Sequence, residues 1–336
     1  MTKDWKDVLE PDKGMLKHVS KKKAEDIVQS RIDAQNVKSK YGGIVPESII
    51  KADFSKRQKD VFLGKRSANK ILDSYPSGVF GIRVGQLDRS RGTEMKSCPE
   101  LGPTSRGLKR VKGKKMTISR FPWNVGETVI RLYSNEYDWI LDPFAGHNSR
   151  FQIAFENFRN YVGFDISAEF MQYNRLILDE LYKQQTINDK KLPEIKLHEM
   201  DSRKINEVIE PNSFDFCFTS PPYYDMEYYG PEAEQLSECK SYEDFLKDMY
   251  KIIENCYIGL KKGSYIVFFV NDFRRNKKLH LYHMHIAQLF EKVGFTLWDI
   301  IVVDLGISIR RCFPNQFEQY KIFPKRHEYG IIGLKE

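Results

Sequence analysis

The sequence predicts an α/β protein built on a doubly wound, mostly parallel sheet, and two observations predict it. From residue 121 onward, short apolar runs alternate with longer stretches of helical period: WILD (139–142), YVGFD (161–165), IKLHEMD (195–201), FDFCFTS (214–220), SYIVFFV (264–270), FTLWDIIVV (295–303) and EYGIIGL (328–334). Strands alternating with helices form right-handed βαβ units, and the helices cover both faces of the sheet. The second observation is the link GISIRRCFPNQFEQYKIFPKRH (306–327), which holds prolines and no clean helical period. Without a crossover helix, the last two strands are expected to pair antiparallel at the sheet edge.

Before residue 121 the texture differs. Residues 1–41 are polar and lysine-rich, with one amphipathic stretch from Lys21 to Val37, and read as an N-terminal arm. GGIVPESII (42–50) opens a second, partly irregular module, residues 42–120, rich in Gly, Ser, Lys and Arg; the α/β domain is residues 121–336. Charge divides the chain similarly: residues 1–130 hold 28 Lys and Arg against 15 Asp and Glu, and the remainder 26 against 31. The extreme is LGPTSRGLKRVKGKKMTISR (101–120), with seven basic side chains and no acidic one. Such a stretch attracts a polyanion, with Arg106, Lys109, Arg110, Lys112, Lys114 and Lys115 as phosphate contacts; the alternative is a solvated loop without a partner.

Composition argues against several classes. No run of about 18 apolar residues occurs, and MTKDWKDVLEPDKG at the start is charged where a secretory signal has its apolar core, so a cytoplasmic protein without a membrane segment is expected. The five cysteines (Cys98, Cys217, Cys239, Cys256, Cys312) are far apart and read as reduced thiols. His280, His283 and His285 cluster at a helix start, but no cysteine or carboxylate stands at ligand spacing beside them, and no metal is expected.

Within the α/β domain, WNVGETVIRLYS (123–134) puts Val125, Val129, Leu132 and Tyr133 at helical spacing. The first strand ends in DPFAGHNSR (142–150) and runs into the amphipathic FQIAFENF (151–158). Gly146 lets the backbone turn close to a ligand, and the helix start supplies free N–H groups. Neither GxGxxG nor GxxxxGK[ST] is present, and Asp142 would repel phosphate but suit a cationic amine. The second strand ends at Asp165, 23 residues later, where a carboxylate accepts from both ribose hydroxyls or caps the helix that follows. The third ends in MDSRK (200–204), where Asp201 accepts from an adenine amine or is again a cap. Amine, ribose and adenine in that order describe S-adenosylmethionine laid across strands one to three.

The fourth strand ends in TSPPYY (219–224). Two prolines cannot continue a helix or a central strand, so this is a stiff corner. An exocyclic amine on cytosine or adenine is a poor nucleophile, because its lone pair is delocalised into the ring. The Ser220 hydroxyl and Pro221 carbonyl can accept its two hydrogens and turn that lone pair toward a methyl donor, while Tyr223 offers a ring for a flipped base. The alternative is a structural turn with two packed tyrosines.

DPFAG and TSPPY together resemble motifs I and IV of the amino-methyltransferases that modify cytosine N4 or adenine N6 in DNA, and their order resembles the gamma-type arrangement. SRFPWNVGETVIRLYS (119–134) is similar to the segment that closes over the methionine end of the cofactor in that family. GGIVPESII, KRQKDVFLGKR (56–66), TSPPYYDMEYYG (219–230), VNDFR (270–274) and HEYGIIG (327–333) resemble a phage and prophage branch of DNA modification methylases, and the resemblance covers residues 42–334. It implies the class I methyltransferase fold, a Rossmann-like sheet of seven strands with an antiparallel last strand. It further implies S-adenosylmethionine as cofactor, with Asp142, Phe144, Ala145 and Gly146 on its methionine side, Asp165 at the ribose, and Asp201 with Ser202 at the adenine. Ser220, Pro221, Pro222 and Tyr223 would act on the target base, and a serine in first place is most typical of cytosine N4 enzymes. Asp225, Asn271 and Asp272 would line the base pocket. Double-stranded DNA is the implied substrate, and a homodimer or a cognate restriction or defence component is compatible with it.

One departure stands out. GHNS replaces the family's second glycine with His147 and Asn148, and the turn is expected to survive because Asn tolerates the left-handed conformation. The basic module, the Tyr224–Ser241 loop and the Arg310–Lys325 segment are expected to grip DNA mainly through phosphates, which predicts a short or relaxed target sequence. Rival readings are the same chemistry on adenine N6, methylation of RNA or of a protein glutamine, and a DNA-binding homologue without catalysis.

Overall fold

Each of the seven apolar runs forms a strand of one sheet, and an eighth strand joins them. The structure is a computed structural model that describes residues 48–52, 121–184, 191–226, 229, 232–275, 278–306, 319–323 and 325–336, with the backbone of five short strands between 93 and 118. The chain divides into residues 1–47 and 48–336; the first unit, with the helix expected at Lys21–Val37, lies outside the described residues.

In chain order, β1 (Ile49–Lys51) precedes the five short strands β2 (Thr93–Glu94), β3 (Gly102–Pro103), β4 (Lys109–Val111), β5 (Lys114–Lys115) and β6 (Thr117–Ile118). β2 pairs with β6, and β4 with both β3 and β5, all antiparallel. The α/β domain then runs α1 (Trp123–Tyr133), β7 (Trp139–Asp142), α2 (Ser149–Glu156), β8 (Asn160–Asp165), α3 (Ala168–Gln184), β9 (Ile195–Glu199) and β10 (Phe214–Thr219). It continues with α4 (Tyr242–Gly259), β11 (Leu260–Val270), the hairpin strands β12 (Phe273–Arg275) and β13 (Lys278–His280), α5 (Tyr282–Val293), β14 (Thr296–Asp304) and β15 (His327–Leu334).

The sheet order is β1-β14-β15-β11-β10-β7-β8-β9. All neighbouring pairs are parallel except the two made by β15, which runs antiparallel to both β11 and β14. Two expectations are corrected here. The sheet has eight strands because Ile49–Lys51, assigned from sequence to the basic module, pairs with β14 in the register Ile49↔Val302. The reversed strand is also not at the edge: it inserts between β11 and β14, so that both of its hydrogen-bonding sides are used. Its glycines permit that position, since a Cβ on Gly330 would stand 2.6 Å from Ile301 and 2.8 Å from Phe269.

Strand side chains alternate between two apolar layers. Phe216, Phe218, Val267 and Phe269 pack under α1, α2 and α3, whereas Cys217, Ile266, Phe268 and Val270 pack under α4 and α5. Burial on both faces explains why the central strands read as nearly continuous apolar runs. On α1 the buried arc is Val125, Gly126, Val129 and Ile130, and Leu132, expected to face the core, stands on the rim of that arc in the last turn and is 55% exposed.

Candidate active site

The chain passes outward from β7 through β8 to β9 and then returns to β10 on the other side of β7. The loops after β7 and β10 therefore diverge at a topological switch point, where a crevice opens outside the carboxyl ends of the strands. A cleft of about 410 Å³ lies there, and its walls bring together Phe144, Gly146, Asp165, Asp201, Ser202 and the run Ser220 to Tyr223. Of the residues singled out in the sequence for cofactor or base, Asp142 and Ala145 are fully buried and Asp225 is absent from the walls.

Asp142 is fully buried, and four donors fill its oxygens: the Phe144 N–H (3.0 Å) and Thr219 hydroxyl (2.5 Å) on Oδ1, the Arg150 Nε–H (2.6 Å) and Tyr161 hydroxyl (2.7 Å) on Oδ2. A carboxylate offers about four acceptor positions, so none remains for the ligand amine expected from sequence. Its cation is Arg150, which also donates to the Phe144 carbonyl. Burial alone would lower the pKa of that guanidinium, but Asp142 beside it, together with Tyr161 and Asp165, more than reverses the effect and holds it above its ordinary value.

Gly146 takes the left-handed turn itself, with φ +51°, and the Asn174 amide donates to its carbonyl at 2.8 Å. Asn148, expected to tolerate that conformation, is right-handed at φ −53° and immediately precedes α2. His147 is held edge-on to Phe170 and 4.9 Å from the Tyr173 ring. The GHNS departure is thus absorbed by aromatic packing, and the tight turn needs only one glycine.

Asp165 accepts from the Gly146 N–H at 2.8 Å and the Ser167 N–H at 2.9 Å, one on each oxygen. Burial pushes its carboxyl up to about 6, against the lowering effect of those two N–H groups. Asp201 is the cap of a short 3-10 helix, Ser202–Glu207, accepting from the Arg203 N–H at 2.9 Å. The Arg203 guanidinium also grips both of its oxygens, so the cap reading describes that side chain, while it still lines the cleft. Beside it, Ser202 donates to the Pro143 carbonyl.

Thr219 ties the TSPPYY loop to Asp142 across the switch point. The Ser220 hydroxyl makes no hydrogen bond to another described residue, and the Pro222 carbonyl accepts only a long 3.4 Å bond from Tyr282. The two tyrosines of TSPPYY have different surroundings: Tyr223 lines the cleft with its ring edge-on to Phe273 and Tyr282, whereas Tyr224 packs against Tyr242 and Phe245. Asp225 has φ +49° and is ion-paired with Arg275. Asn271 and Asp272 do reach the walls. Asp272 is held by His283 Nδ1 at 2.6 Å, and the Asn271 Oδ1 is buried without a hydrogen bond to any described residue. Of the other clustered histidines, His285 bonds the Tyr242 hydroxyl at 2.9 Å and His280 stacks on Phe273 at 4.9 Å.

Glu328 lines the same cleft and was not singled out as a site residue in the sequence. It is the second residue of β15, and a reversed strand delivers its start, not its end, to the carboxyl edge of a parallel sheet. Burial pushes its carboxyl up to about 7, with Lys325 acting in the opposite direction. The basic residues expected to meet DNA fall outside what the structure describes. Arg106 and Lys112, and the side chains of Lys109, Arg110, Lys114 and Lys115, lie outside the described residues, as does most of Arg310–Lys325.

No helix among the described residues is long and apolar enough to cross a membrane. Comparison with known proteins adds two curated relatives. The chain is 31% identical over 123 residues to the type II beta methyltransferase M.BslI of Bacillus sp. (strain NEB-606), covering 33% of this chain and 13% of that protein. It is 30% identical over 81 residues to the type II methyltransferase M1.MboII of Moraxella bovis, covering 23% of this chain and 31% of that one. The matches therefore span well under half the length of either relative. Solved structures give remote likenesses: TrmN from Thermus thermophilus, at TM-score 0.42 and 13% identity over 64% of this chain and 49% of that one, and a SAM-dependent methyltransferase from Methanosarcina mazei, at TM-score 0.41 and 16% identity over 62% and 98%. A family model described as DNA methylase, of the N6 and N4 type, matches residues 3–176 and 214–332, taking in the arm, both loops at the switch point and the reversed strand. With well over half of its length matched, the chain belongs to the N6/N4 DNA methylase family.

Proposed function

We propose that this chain transfers a methyl group from S-adenosylmethionine to the exocyclic amine of a flipped DNA base, with cytosine N4 as the target. The observation that carries the reading is the shared cleft, in which Asp165 and Ser202 form walls with Ser220, Pro221 and Tyr223. The residues fit the cofactor. Each Asp165 oxygen accepts one backbone N–H and keeps a second acceptor direction for a ribose hydroxyl. Gly146 brings backbone to the cleft wall without a side chain, and the Ser202 hydroxyl keeps its lone pairs because its hydrogen goes to Pro143.

When bound, S-adenosylmethionine supplies a methyl group on sulfur, and the amine nitrogen that takes it gives up one proton. The chain's own part is to orient that nitrogen. Ser220 and Pro221 accept its hydrogens, which makes the nitrogen more tetrahedral and frees its lone pair. The double proline holds the Pro221 carbonyl in one direction. Asn271 Oδ1, buried and unsatisfied one strand away, is a further acceptor for a donor that enters with the base. Tyr223, wedged against Phe273 and Tyr282, gives the base an aromatic surface, which repays part of the cost of unstacking it. Serine in the first position of the loop supports cytosine over adenine.

The test is to incubate the protein with unmethylated genomic DNA and S-adenosylmethionine, digest the DNA to nucleosides and identify the product by mass spectrometry. N4-methylcytosine is expected. N6-methyladenine would keep the mechanism and overturn the choice of base. Neither product, with cofactor binding shown by calorimetry, would overturn DNA as the substrate, and no cofactor binding at millimolar concentration would overturn catalysis altogether.

A further inference from the structure

Immediately beyond the cleft, β12 and β13 form an antiparallel hairpin with the rungs Phe273↔His280, Arg274↔Leu279 and Arg275↔Lys278. Opposed residues in an antiparallel pair share a face, and successive rungs alternate between faces. The face that bears Phe273 is the anchored one. Phe273 is 6% exposed, lines the cleft and lies 6.2 Å from the Tyr223 ring, and Arg275 pairs with Asp225 in the catalytic loop. The middle rung faces the other way. Arg274 is exposed there, and Leu279 is 42% exposed although it is large and apolar.

The charges on this hairpin are unbalanced. Arg274 and Lys278 form no ion pair with a described residue, and the carboxylates near them are already engaged, Asp225 by Arg275 and Asp272 by His283 and Lys325. Two cations without a described ion-pair partner and one exposed leucine thus stand on the rungs next to Phe273, which lines the cleft: Arg274 and Leu279 one rung away, Lys278 two. Phosphate oxygens are natural partners for such cations, and an exposed Leu beside them can enter a base step.

We propose that the β12–β13 hairpin grips duplex DNA beside the target nucleotide: Arg274 and Lys278 hold backbone phosphates, and Leu279 fills the stack vacated by the flipped base. The proposal rests on the DNA reading given above, and it adds a contact surface distinct from the basic stretch before residue 121. An apolar side chain in the vacated position keeps the neighbouring bases from closing over the gap, so flipping costs less on a duplex.

The experiment compares the full-length protein with R274Q/K278Q, R274K/K278R and L279A, each first shown to bind S-adenosylmethionine. Affinity for genomic duplex fragments is measured against salt concentration. R274Q/K278Q should lower the slope of log affinity on log salt by about 1.8, the loss of two phosphate contacts, whereas R274K/K278R should retain it. L279A should reduce methyl transfer to duplex DNA about tenfold more than transfer to the same DNA denatured, where no stack needs to be held open. An unchanged slope in R274Q/K278Q would overturn the phosphate grip, and an equal loss of transfer on both DNA forms would overturn the wedge. If the wild-type protein methylates no DNA yet its salt slope still falls in R274Q/K278Q, the catalytic reading fails and the grip stands.

Discussion

The loop after β7 closes on itself, whereas the loop after β10 keeps its acceptors toward the cleft. In the first, Asp142 is filled by four donors, Pro143 and Phe144 carbonyls accept from Ser202 and Arg150, and Gly146 accepts from Asn174. In the second, Thr219 is tied down, but the next hydroxyl, Ser220, bonds to no described residue and the Pro222 carbonyl has only a long contact. Two loops at one switch point have therefore divided the work. The first acts through shape and stability, the second through polar capacity left for another molecule.

Substitutions test that division. Arg150→Met should have the largest effect, because it leaves the fully buried Asp142 without its cation; a loss of about 3–5 kcal/mol in stability is expected, read by denaturant unfolding. A loss under about 1 kcal/mol would show that Asp142 does not depend on that pair. In the other loop, Ser220→Ala and Tyr223→Ala should leave folding intact and lower kcat by about 10²–10³-fold and 10–100-fold respectively, with cofactor affinity nearly unchanged. Equal losses in turnover and cofactor binding would merge the two loops into one functional unit.

Asp165→Asn lies between the two, since that residue holds the first loop through Gly146 and lines the cleft. Cofactor affinity should fall about tenfold or more in calorimetry, the loss of charge-assisted hydrogen bonds. The carboxyl, pushed up to about 6, accepts best when ionised, so wild-type affinity should weaken as pH falls through about 6 and the Asn variant should show no such step. The smallest effect is expected for Glu328→Gln. The folded protein holds a proton on Glu328 up to about pH 7, above the ordinary glutamate value, so its contribution is present in acid and lost as pH rises through 7. The Gln variant should melt a few degrees (~2–4 °C) above wild type at pH 8.5, with the gap closing below about pH 5. A gap independent of pH would place its origin outside Glu328.

Much of the site is legible in local sequence. TSPPYY announces a stiff, acceptor-bearing corner because the constraint of two prolines lies in the residues themselves, and Gly146 announces a left-handed turn for the same reason. The residues read less well are those whose role depends on distant partners. Asp142 reads as a ligand for an amine until Tyr161 and Thr219, 19 and 77 residues away, arrive at its oxygens with Arg150. Asp201 reads equally as ligand and cap, and Arg203 occupies it. Glu328 carries no motif, and only its place at the start of a reversed strand brings it to the cleft.

By itself, then, the sequence determined the alternation of strands and helices, the reversal of the last strand and the two loops that meet at the switch point, because periodicity, proline and glycine constrain neighbouring backbone directly. Tertiary structure decided which carboxylates keep acceptor capacity at the cleft, where the reversed strand and β1 enter the sheet, and which hairpin borders that cleft. Hydrogen-bond capacity belongs to a residue, but its use depends on which donors long-range packing brings within about 3 Å.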